Sequence, residues 1–145
     1  MFMKKKFAAV SAILALLLVI YIPSAQAAGF HIIDAKTCRS VDKNRDPLEI
    51  ISEFPAGTET VYCWFSWENA LPGSTLKALW YFETQKTHIL DYPMKLSVAA
   101  EHGACSLHMP EGHPFLPGNY RLNFVMDGKI VRSVNFKVLL ADSKA

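Results

Sequence analysis

The sequence predicts an all-β domain built from two packed sheets. Three features carry this prediction: short apolar runs that alternate with a period of two, Gly/Pro turns between them, and a strong hairpin signal near the C-terminus. In that hairpin, two alternating runs flank Asp127-Gly128, a dipeptide that suits a two-residue turn because both residues accept a positive φ. We expect seven or eight short strands and no helix after the N-terminal segment. Such strands bury their apolar faces when two sheets pack as a sandwich.

An N-terminal targeting segment precedes this domain. Lys4–Lys6 form a cationic start, Phe7–Ile22 form an apolar run, and Ala25-Gln26-Ala27 is a small-x-small cleavage site after the helix-breaking Pro23. The apolar run is shorter than the roughly 20 residues of a membrane-spanning helix, so an uncleaved anchor is the weaker alternative. We therefore expect residues 1–27 to be a helical signal peptide that is removed after Ala27.

Residues 28–145 remain after cleavage, which is enough for one domain with its own core. The formal net charge of the whole chain is +2, but the three lysines of the targeting segment contribute to it, so the mature domain is close to neutral. It has no cluster of Lys or Arg that would indicate binding to nucleic acid or to anionic lipid. The sequence thus predicts a periplasmic or secreted protein with no nucleic-acid partner and no stable membrane insertion.

The first part of the domain contains two predicted strands and a polar connection. Phe30–Cys38 is predicted as a strand at the edge of a sheet, and Leu48–Phe54 as a second, short strand. Residues 39–47 mix both charge signs and end in Asp46-Pro47, a turn signal. Asp42, Asn44 and Asp46 have the spacing of a calcium loop but lack its Gly and its terminal Glu. A solvated loop is the favoured interpretation.

Further strands are predicted in the middle of the chain. Thr60–Glu68 has aromatic or β-branched residues on both faces, which indicates a central strand. The inward residues of the next strand are Leu76, Ala78, Trp80 and Phe82, with Trp80 as the core anchor. His88–Tyr92 and Met94–Val98 are two short strands broken at Pro93, a residue typical of sheet edges because it donates no ladder hydrogen bond. Ala104–Met109 is the last of these strands.

The C-terminal hairpin has a parity conflict that predicts a bulge. Its first strand turns Tyr120, Leu122, Phe124 and Met126 to one face, and its second turns Val134, Phe136 and Val138 inward. A two-residue turn would pair Phe124 with position 131, which has the opposite parity to that second set. We place a bulge near Arg132-Ser133, so that Val131 and Val134 both face the core; a three-residue loop would turn Arg132 inward. Trp80, Tyr120 and Phe136 should then share one core.

Three cysteines are an odd number for an oxidising compartment, and they are Cys38, Cys63 and Cys105. They indicate either one disulfide with a free thiol or three buried thiols. Cys63 alternates in phase with Val61 and Phe65, and Cys105 with Leu107, so both should point inward. If the two strands are neighbours, Cys63–Cys105 is the best-placed disulfide of the three possible pairs.

Several of these segments resemble known sandwich domains. Gly118-x-Tyr120-x-Leu122 resembles the tyrosine corner of immunoglobulin-like sandwiches, and Trp80 resembles their buried strand-C tryptophan. The motifs Asp46-Pro47, Val61-Tyr-Cys-Trp-Phe, Leu79-Trp-Tyr, Pro117-Gly-x-Tyr120 and Asp127-Gly together resemble small exported bacterial immunoglobulin-like families of unknown function. The resemblance spans roughly residues 30–140. It implies an immunoglobulin-like two-sheet sandwich and identifies no reaction, because its motifs are turns and core aromatics.

The densest group of reactive side chains is a candidate metal site. Soft sulfur and imidazole ligands would suit copper in a periplasmic protein. The candidates are His102, Cys105, His108, Met109 and His113. Cys105 and His108 have opposite parity on a strand, however, and would project to opposite faces unless the strand bulges. The favoured interpretation leaves Cys105 and Met109 in the core and His108 in water, with no metal bound.

A second candidate site is a set of aromatic residues on the faces opposite the core. Tyr62, Trp64 and Tyr81, with Tyr92 beside them, would form a platform for a protein partner or for sugar rings if they are exposed together. The alternative is that a loop or the N-terminal strand covers them and makes a second small core. We predict Tyr62, Trp64 and Tyr81 as partner-binding residues.

No sequence pattern for catalysis is present. The chain lacks a nucleophile motif, a zinc-ligand pair, a phosphate loop and a c-type haem motif, so we predict neither an enzyme nor a cofactor. The favoured function is an exported, non-catalytic module that binds or supports another envelope protein of a Gram-negative bacterium through a sheet face or edge. The alternative is a periplasmic small-ligand binder, for copper through residues 102–113 or for carbohydrate through the surface aromatics. A hydrolase with dispersed catalytic residues is the least favoured.

Overall fold

Nine strands account for most of residues 29–142, which are the residues that this computed structural model describes. They are β1 (His31–Val41), β2 (Pro47–Ile50), β3 (Glu53–Phe54), β4 (Thr60–Glu68), β5 (Ser74–Phe82), β6 (Thr87–Leu96), β7 (Glu101–His108), β8 (Gly118–Met126) and β9 (Lys129–Val138). The only helix in this part of the chain is a three-residue 3₁₀ turn, Glu83–Gln85, and no helix there is long and apolar enough to cross a membrane. The predicted signal peptide, residues 1–27, lies outside the described residues.

The strands form two sheets, as the sequence predicts. One sheet has four strands in the order β2-β1-β4-β7, and the other has five in the order β3-β9-β8-β5-β6. All pairs are antiparallel except β3 with β9. The rings of Phe65 on β4 and Phe124 on β8 lie 4.9 Å apart, so these two strands face each other across the sandwich.

The core forms because every second residue of the long strands is apolar and points between the sheets. On β5, the predicted inward residues Leu76, Ala78, Trp80 and Phe82 are all buried, and Trp80 is fully inaccessible to solvent. The Phe136 ring lies 6.1 Å from that of Trp80 and 5.0 Å from that of Tyr120. The prediction that Trp80, Tyr120 and Phe136 share one core is confirmed.

The C-terminal hairpin has the predicted two-residue turn and a bulge. Asp127 and Gly128 have φ values of 52° and 76°, the positive pair that a type I′ turn requires. Val125 pairs with Ile130, whereas Phe124 pairs with Arg132, so Val131 is the extra residue. The bulge thus lies one position before the predicted Arg132-Ser133. Val131 and Val134 both pack against the core, as expected.

Three predicted details of the strands are wrong. β1 is an inner strand, because β2 pairs with its free side. The predicted strand Leu48–Phe54 is divided into β2 and β3, which belong to different sheets. Pro93 does not break β6, which continues through it as the last strand of the five-stranded sheet. The predicted edge position of this segment is confirmed, and that position explains why proline is tolerated there.

Candidate functional site: the cleft between β6 and β7

The two sheets differ by one strand, and the difference leaves a cleft along one side of the sandwich. β4 faces β8, so β7, the next strand of the small sheet, lies over β5, and no strand formed by residues 29–142 lies opposite β6. The resulting cleft has a volume of about 410 Å³. Its lining comes from both edge strands: Leu90 and Tyr92 from β6, and Ala104, Cys105, Ser106 and His108 from β7.

The β6 wall of the cleft carries apolar side chains that face inward without cover. Leu90 pairs with Trp80 and Tyr92 pairs with Ala78, so both share the inward phase of β5. Leu90 is nevertheless 39% exposed and Tyr92 is 48% exposed, whereas Leu96 at the other end of β6 is buried. These side chains have the orientation of core residues and the exposure of surface residues. The reason is that the four-stranded sheet has one strand fewer than the sheet that it packs against.

The β7 wall presents an unpaired strand edge. The Met109 amide donates to the Glu59 carbonyl at 2.8 Å, which fixes the phase of the alternating hydrogen bonds between β4 and β7. In that phase the backbone groups of His102, Ala104, Ser106 and His108 point away from β4. Within residues 29–142 no strand pairs with this side of β7.

The other sheet edges are protected in ways that β7 is not. β2 has four residues and β3 has two, and both are too short to template a long strand. β6 contains Pro93 and Lys95, two residues that discourage edge pairing. β7 has eight residues and contains neither proline nor lysine. It is the long strand edge that is left open to pairing in the described part of the chain.

The predicted aromatic platform does not form one surface. Tyr62 and Trp64 lie on the outer face of the four-stranded sheet, whereas Tyr81 lies on the outer face of the five-stranded sheet. The Tyr81 ring contacts His88, with centroids 5.2 Å apart, and the guanidinium carbon of Arg121 at 5.8 Å. The structure therefore separates the three predicted partner-binding residues onto opposite sides of the molecule.

A loop covers part of the Tyr62 and Trp64 surface. The His102 ring lies 6.2 Å from that of Trp64, and its Nε2 atom is 3.0 Å from the Asn44 carbonyl and 3.4 Å from Asp46 Oδ1. Trp64 is half-buried, and its indole N–H is enclosed without a hydrogen-bond partner in the described structure. The connection between β1 and β2 thus packs over this face, which is intermediate between the two interpretations that the sequence left open.

Residues Asp42 to Asp46 form an exposed loop, as predicted, and hydrogen bonds to Asp42 hold its turn. The Asp42 Oδ1 atom accepts hydrogen bonds from the backbone N–H groups of Asn44, at 2.8 Å, and Asp46, at 3.0 Å. The Asp42 carboxylate therefore organises the turn, in the way that aspartate commonly does.

The predicted copper ligands are dispersed, because they alternate along a regular strand. His102 and His108 are on the outer face of β7 and, six residues apart, are separated by about 20 Å. Cys105 points inward, and Met109 packs against the core. His113 lies in the exposed connection to β8. In the described residues, no three or more His, Cys, Asp or Glu side chains come together as a metal site.

The two cysteines of the predicted disulfide are direct cross-strand partners. Cys63 on β4 pairs with Cys105 on β7, and both are buried. A hydrogen bond with Cys105, together with burial, raises the pKa of the Cys63 thiol well above its ordinary value. The pairing confirms that the two strands are neighbours. All three cysteines are free thiols in the structure, so the disulfide bond stays a prediction. Cys38 pairs with Tyr62 and so belongs to the outer face of the sheet.

Sequence reasoning missed the cleft and misplaced Tyr92. A bulge between β5 and β6 makes Ile89 an extra residue, since Tyr81 pairs with His88 and Trp80 with Leu90. This insertion shifts Tyr92 to the inward side, whereas the sequence pattern placed it on the outer face. Nothing in the local pattern of β6 signals the insertion, and the exposure of its inner face depends on the number of strands in the other sheet.

Comparison with known proteins identifies the fold. An immunoglobulin-like protein from Pseudomonas aeruginosa has a TM-score of 0.56 and 15% sequence identity, with coverage of 79% of this chain and 98% of that chain. The chain has an immunoglobulin-like fold. The tyrosine corner agrees with this fold, because the Tyr120 hydroxyl donates to the Leu116 carbonyl at 2.6 Å.

Two further solved structures are less similar. The alkylpurine DNA glycosylase AlkC from Pseudomonas fluorescens has a TM-score of 0.46 and 13% identity, and this chain covers 31% of it. A Niemann-Pick type C2 protein from the Japanese carpenter ant has a TM-score of 0.44 and 7% identity, with 94% of that chain covered. No protein-family model and no curated protein matched the sequence, so the resemblance to particular exported families stays a prediction.

Proposed function

We propose that this protein is an exported, non-catalytic binding module whose β7 edge accepts an extended segment of another envelope protein. The observation that carries the proposal is the unpaired edge of β7 beside the uncovered inner face of β6. One added strand would give the small sheet five strands. The two sheets would then match.

The geometry of a β-sheet determines how such a segment would fit. A strand added to β7 lies about 4.8 Å from it and therefore directly over β6. Its backbone would form hydrogen bonds with the outward backbone groups of β7, such as those of Ala104 and Ser106. Every second side chain of the segment would cover Leu90 and Tyr92. The partner segment is therefore extended, with apolar residues at alternate positions.

This function is favoured over the alternatives by where the candidate residues lie. The copper candidates are dispersed over two faces of β7 and a loop. The outer aromatics divide between two sheets, and a loop covers part of Trp64, so they provide no continuous platform for a sugar. Tyr62 stays close to the proposed contact through its edge-on packing with His108, at 6.0 Å between ring centroids.

Site-specific photo-crosslinking in the native host tests the proposal. A crosslinking amino acid in place of Tyr92 should capture one envelope protein, and the adduct should map to an extended segment of it. The same group in place of Thr75, an exposed residue of β5, serves as the control and should give no such adduct.

A proline at position 106 provides the matched backbone test. The Ser106 N–H points to the open edge, so Ser106→Pro removes a donor from the proposed contact without removing a β4–β7 hydrogen bond. We expect the Tyr92 adduct to disappear in Ser106→Pro and to persist in Ser106→Ala. Thermal unfolding should first establish that Ser106→Pro is folded. Equal crosslinking in the two folded variants would then contradict strand addition.

A further inference from the structure

A cavity of about 670 Å³ opens between the sheets at the end of the sandwich that lies away from the Asp127-Gly128 turn. Phe82, Phe115 and Tyr120 line it, and all three are buried. Ile89 near the start of β6 and Met109 just after β7 contribute to its walls. Its volume falls within the range of about 300–1,000 Å³ that is typical of small-molecule sites.

The lining of this cavity is chemically uniform. Among the residues that the structure describes, its lining contains no Asp, Glu, Lys or Arg side chain, and its polar side chains are Gln85, Thr87, His113 and the Tyr120 hydroxyl. The Tyr120 hydroxyl is already bonded to the Leu116 carbonyl at 2.6 Å. A charged group inside the cavity would lose its hydration without gaining a counter-ion, which is unfavourable. The cavity therefore matches an uncharged occupant with an apolar body.

The wall of the cavity is held in position by the protein itself. The segment 110–117 contains Pro110, Pro114 and Pro117, which restrict its backbone. The Phe115 amide donates to the Thr58 carbonyl at 2.9 Å, and the Gly112 amide to the Glu59 carboxylate at 3.2 Å. These contacts fix the segment without a ligand, and a site that needs no ordering loses less free energy on binding.

We infer that the cavity binds one uncharged small molecule with an apolar body, such as an aliphatic chain, and a hydrogen-bonding end near Gln85 or His113. This site is separate from the β7 edge and goes beyond the proposed function.

Binding of the neutral fluorophore N-phenyl-1-naphthylamine tests the inference on the folded domain. We expect saturable one-site binding that decanol displaces. Leu116→Glu places a carboxylate on the exposed part of the wall, and Ala56→Trp fills the cavity from an exposed position, so each should weaken binding at least tenfold. Ile130→Glu removes an equally exposed apolar residue at the other end of the molecule and should bind as the wild type does.

The outcomes separate this site from the strand edge. Ser106→Pro should bind the fluorophore normally, so failure of one proposal leaves the other standing. Displacement by decanol indicates a free single chain, and displacement by monomeric dihexanoylglycerol, which is also uncharged, indicates the chains of a lipid; either supports the site. The inference is overturned if binding does not saturate, if folded Leu116→Glu and Ala56→Trp both bind as the wild type does, or if Ile130→Glu weakens binding equally.

Discussion

Gly118 is the residue at which β8 tolerates no side chain. Its φ is 146°, a conformation that residues with a Cβ atom rarely adopt. A Cβ atom there would lie 2.5 Å from Thr84 Oγ1 and 2.7 Å from Phe82 Cε2. The Thr84 hydroxyl also accepts a hydrogen bond from the Asn119 amide at 2.8 Å, so it has little freedom to move. We expect Gly118→Ala to lower the free energy of unfolding by about 2–4 kcal/mol, from strain and steric overlap together.

Gly112→Ala is the matched control for this prediction. Gly112 also has a positive φ, 77°, but an added Cβ would meet no atom within 4 Å. Its cost should therefore be limited to the backbone term of about 1–2 kcal/mol. Urea unfolding of both variants separates the two contributions. Equal midpoints for Gly118→Ala and Gly112→Ala would show that the overlap with Phe82 and Thr84 is relieved at no cost.

Residue-level predictions from the sequence succeed where strand parity is undisturbed. The four inward positions of β5 are buried because a regular strand keeps a period of two and its apolar residues follow it. Tyr92 fails the same test because Ile89 is an extra residue, and one insertion turns every later side chain to the other face. A bulge near Val131 was predictable, because the Asp127-Gly128 turn defines which residues of β8 and β9 pair and their inward faces then disagree. No such turn beside Ile89 defines the pairing of β5 with β6.

At the scale of elements, the pairing of β4 with β7 brings Cys63 and Cys105 together. By the phase of the ladder they form a hydrogen-bonded pair, with Cα atoms about 5.5 Å apart, a separation that suits a disulfide. We expect oxidative refolding to join Cys63 to Cys105 and to leave Cys38 free. Mass spectrometry should show that the oxidised chain is lighter than the reduced chain by two hydrogen atoms. Alkylation of the unfolded, oxidised chain should label one thiol, that of Cys38. Reduction should then lower the free energy of unfolding by up to about 4 kcal/mol.

The route to this bond matters because the thiols are buried. The pKa of the Cys63 thiol is raised, so the folded, reduced protein holds little of the reactive thiolate. An oxidant added after folding should therefore act slowly, whereas one present during folding should act readily. Cys38→Ser is the control and should form the same bond. Three alkylatable thiols after oxidative refolding would contradict the predicted pairing.

Element positions depend on partners that are distant in sequence, and this limits prediction. Phe30–Cys38 alternates as an edge strand would, yet β2 pairs with its free side and makes it an inner strand. The effect of Pro93 depends in the same way on its surroundings, since a proline within a strand is tolerated only when that strand is outermost. The identity and bounds of β4 can be predicted from its own composition. Which strands pair with β4 cannot be predicted in this way.

At the scale of the whole molecule, the mismatch between four and five strands creates the candidate site. No single strand encodes it: β6 has ordinary apolar alternation, and β7 has ordinary length. The cleft and the end cavity are adjacent, because Leu90 lines one and Ile89 the other. Both therefore form only when the two sheets are assembled, which is why the sequence predicted the fold and missed the site.

The same architecture places the N-terminal strand inside the four-stranded sheet, although its sequence pattern predicted an edge strand. β1 pairs with β4 from His31–Glu68 to Cys38–Tyr62, and Ile32 is only 1% exposed. A chain that begins at Ala28 retains all of β1 and should unfold in one cooperative transition.

A chain that begins at Lys36 loses the first half of β1, including Ile32, whose side chain alone is worth about 2–5 kcal/mol when removed from a core. Because typical domains are stable by about 5–15 kcal/mol, and the backbone partners of β4 are lost as well, we expect this shorter chain to be largely unfolded. Circular dichroism and urea unfolding of the two chains check the prediction. Equal midpoints would mean that β1 contributes as little as the edge strand that its sequence pattern indicates, and that the four-stranded sheet is held together by β4 and β7.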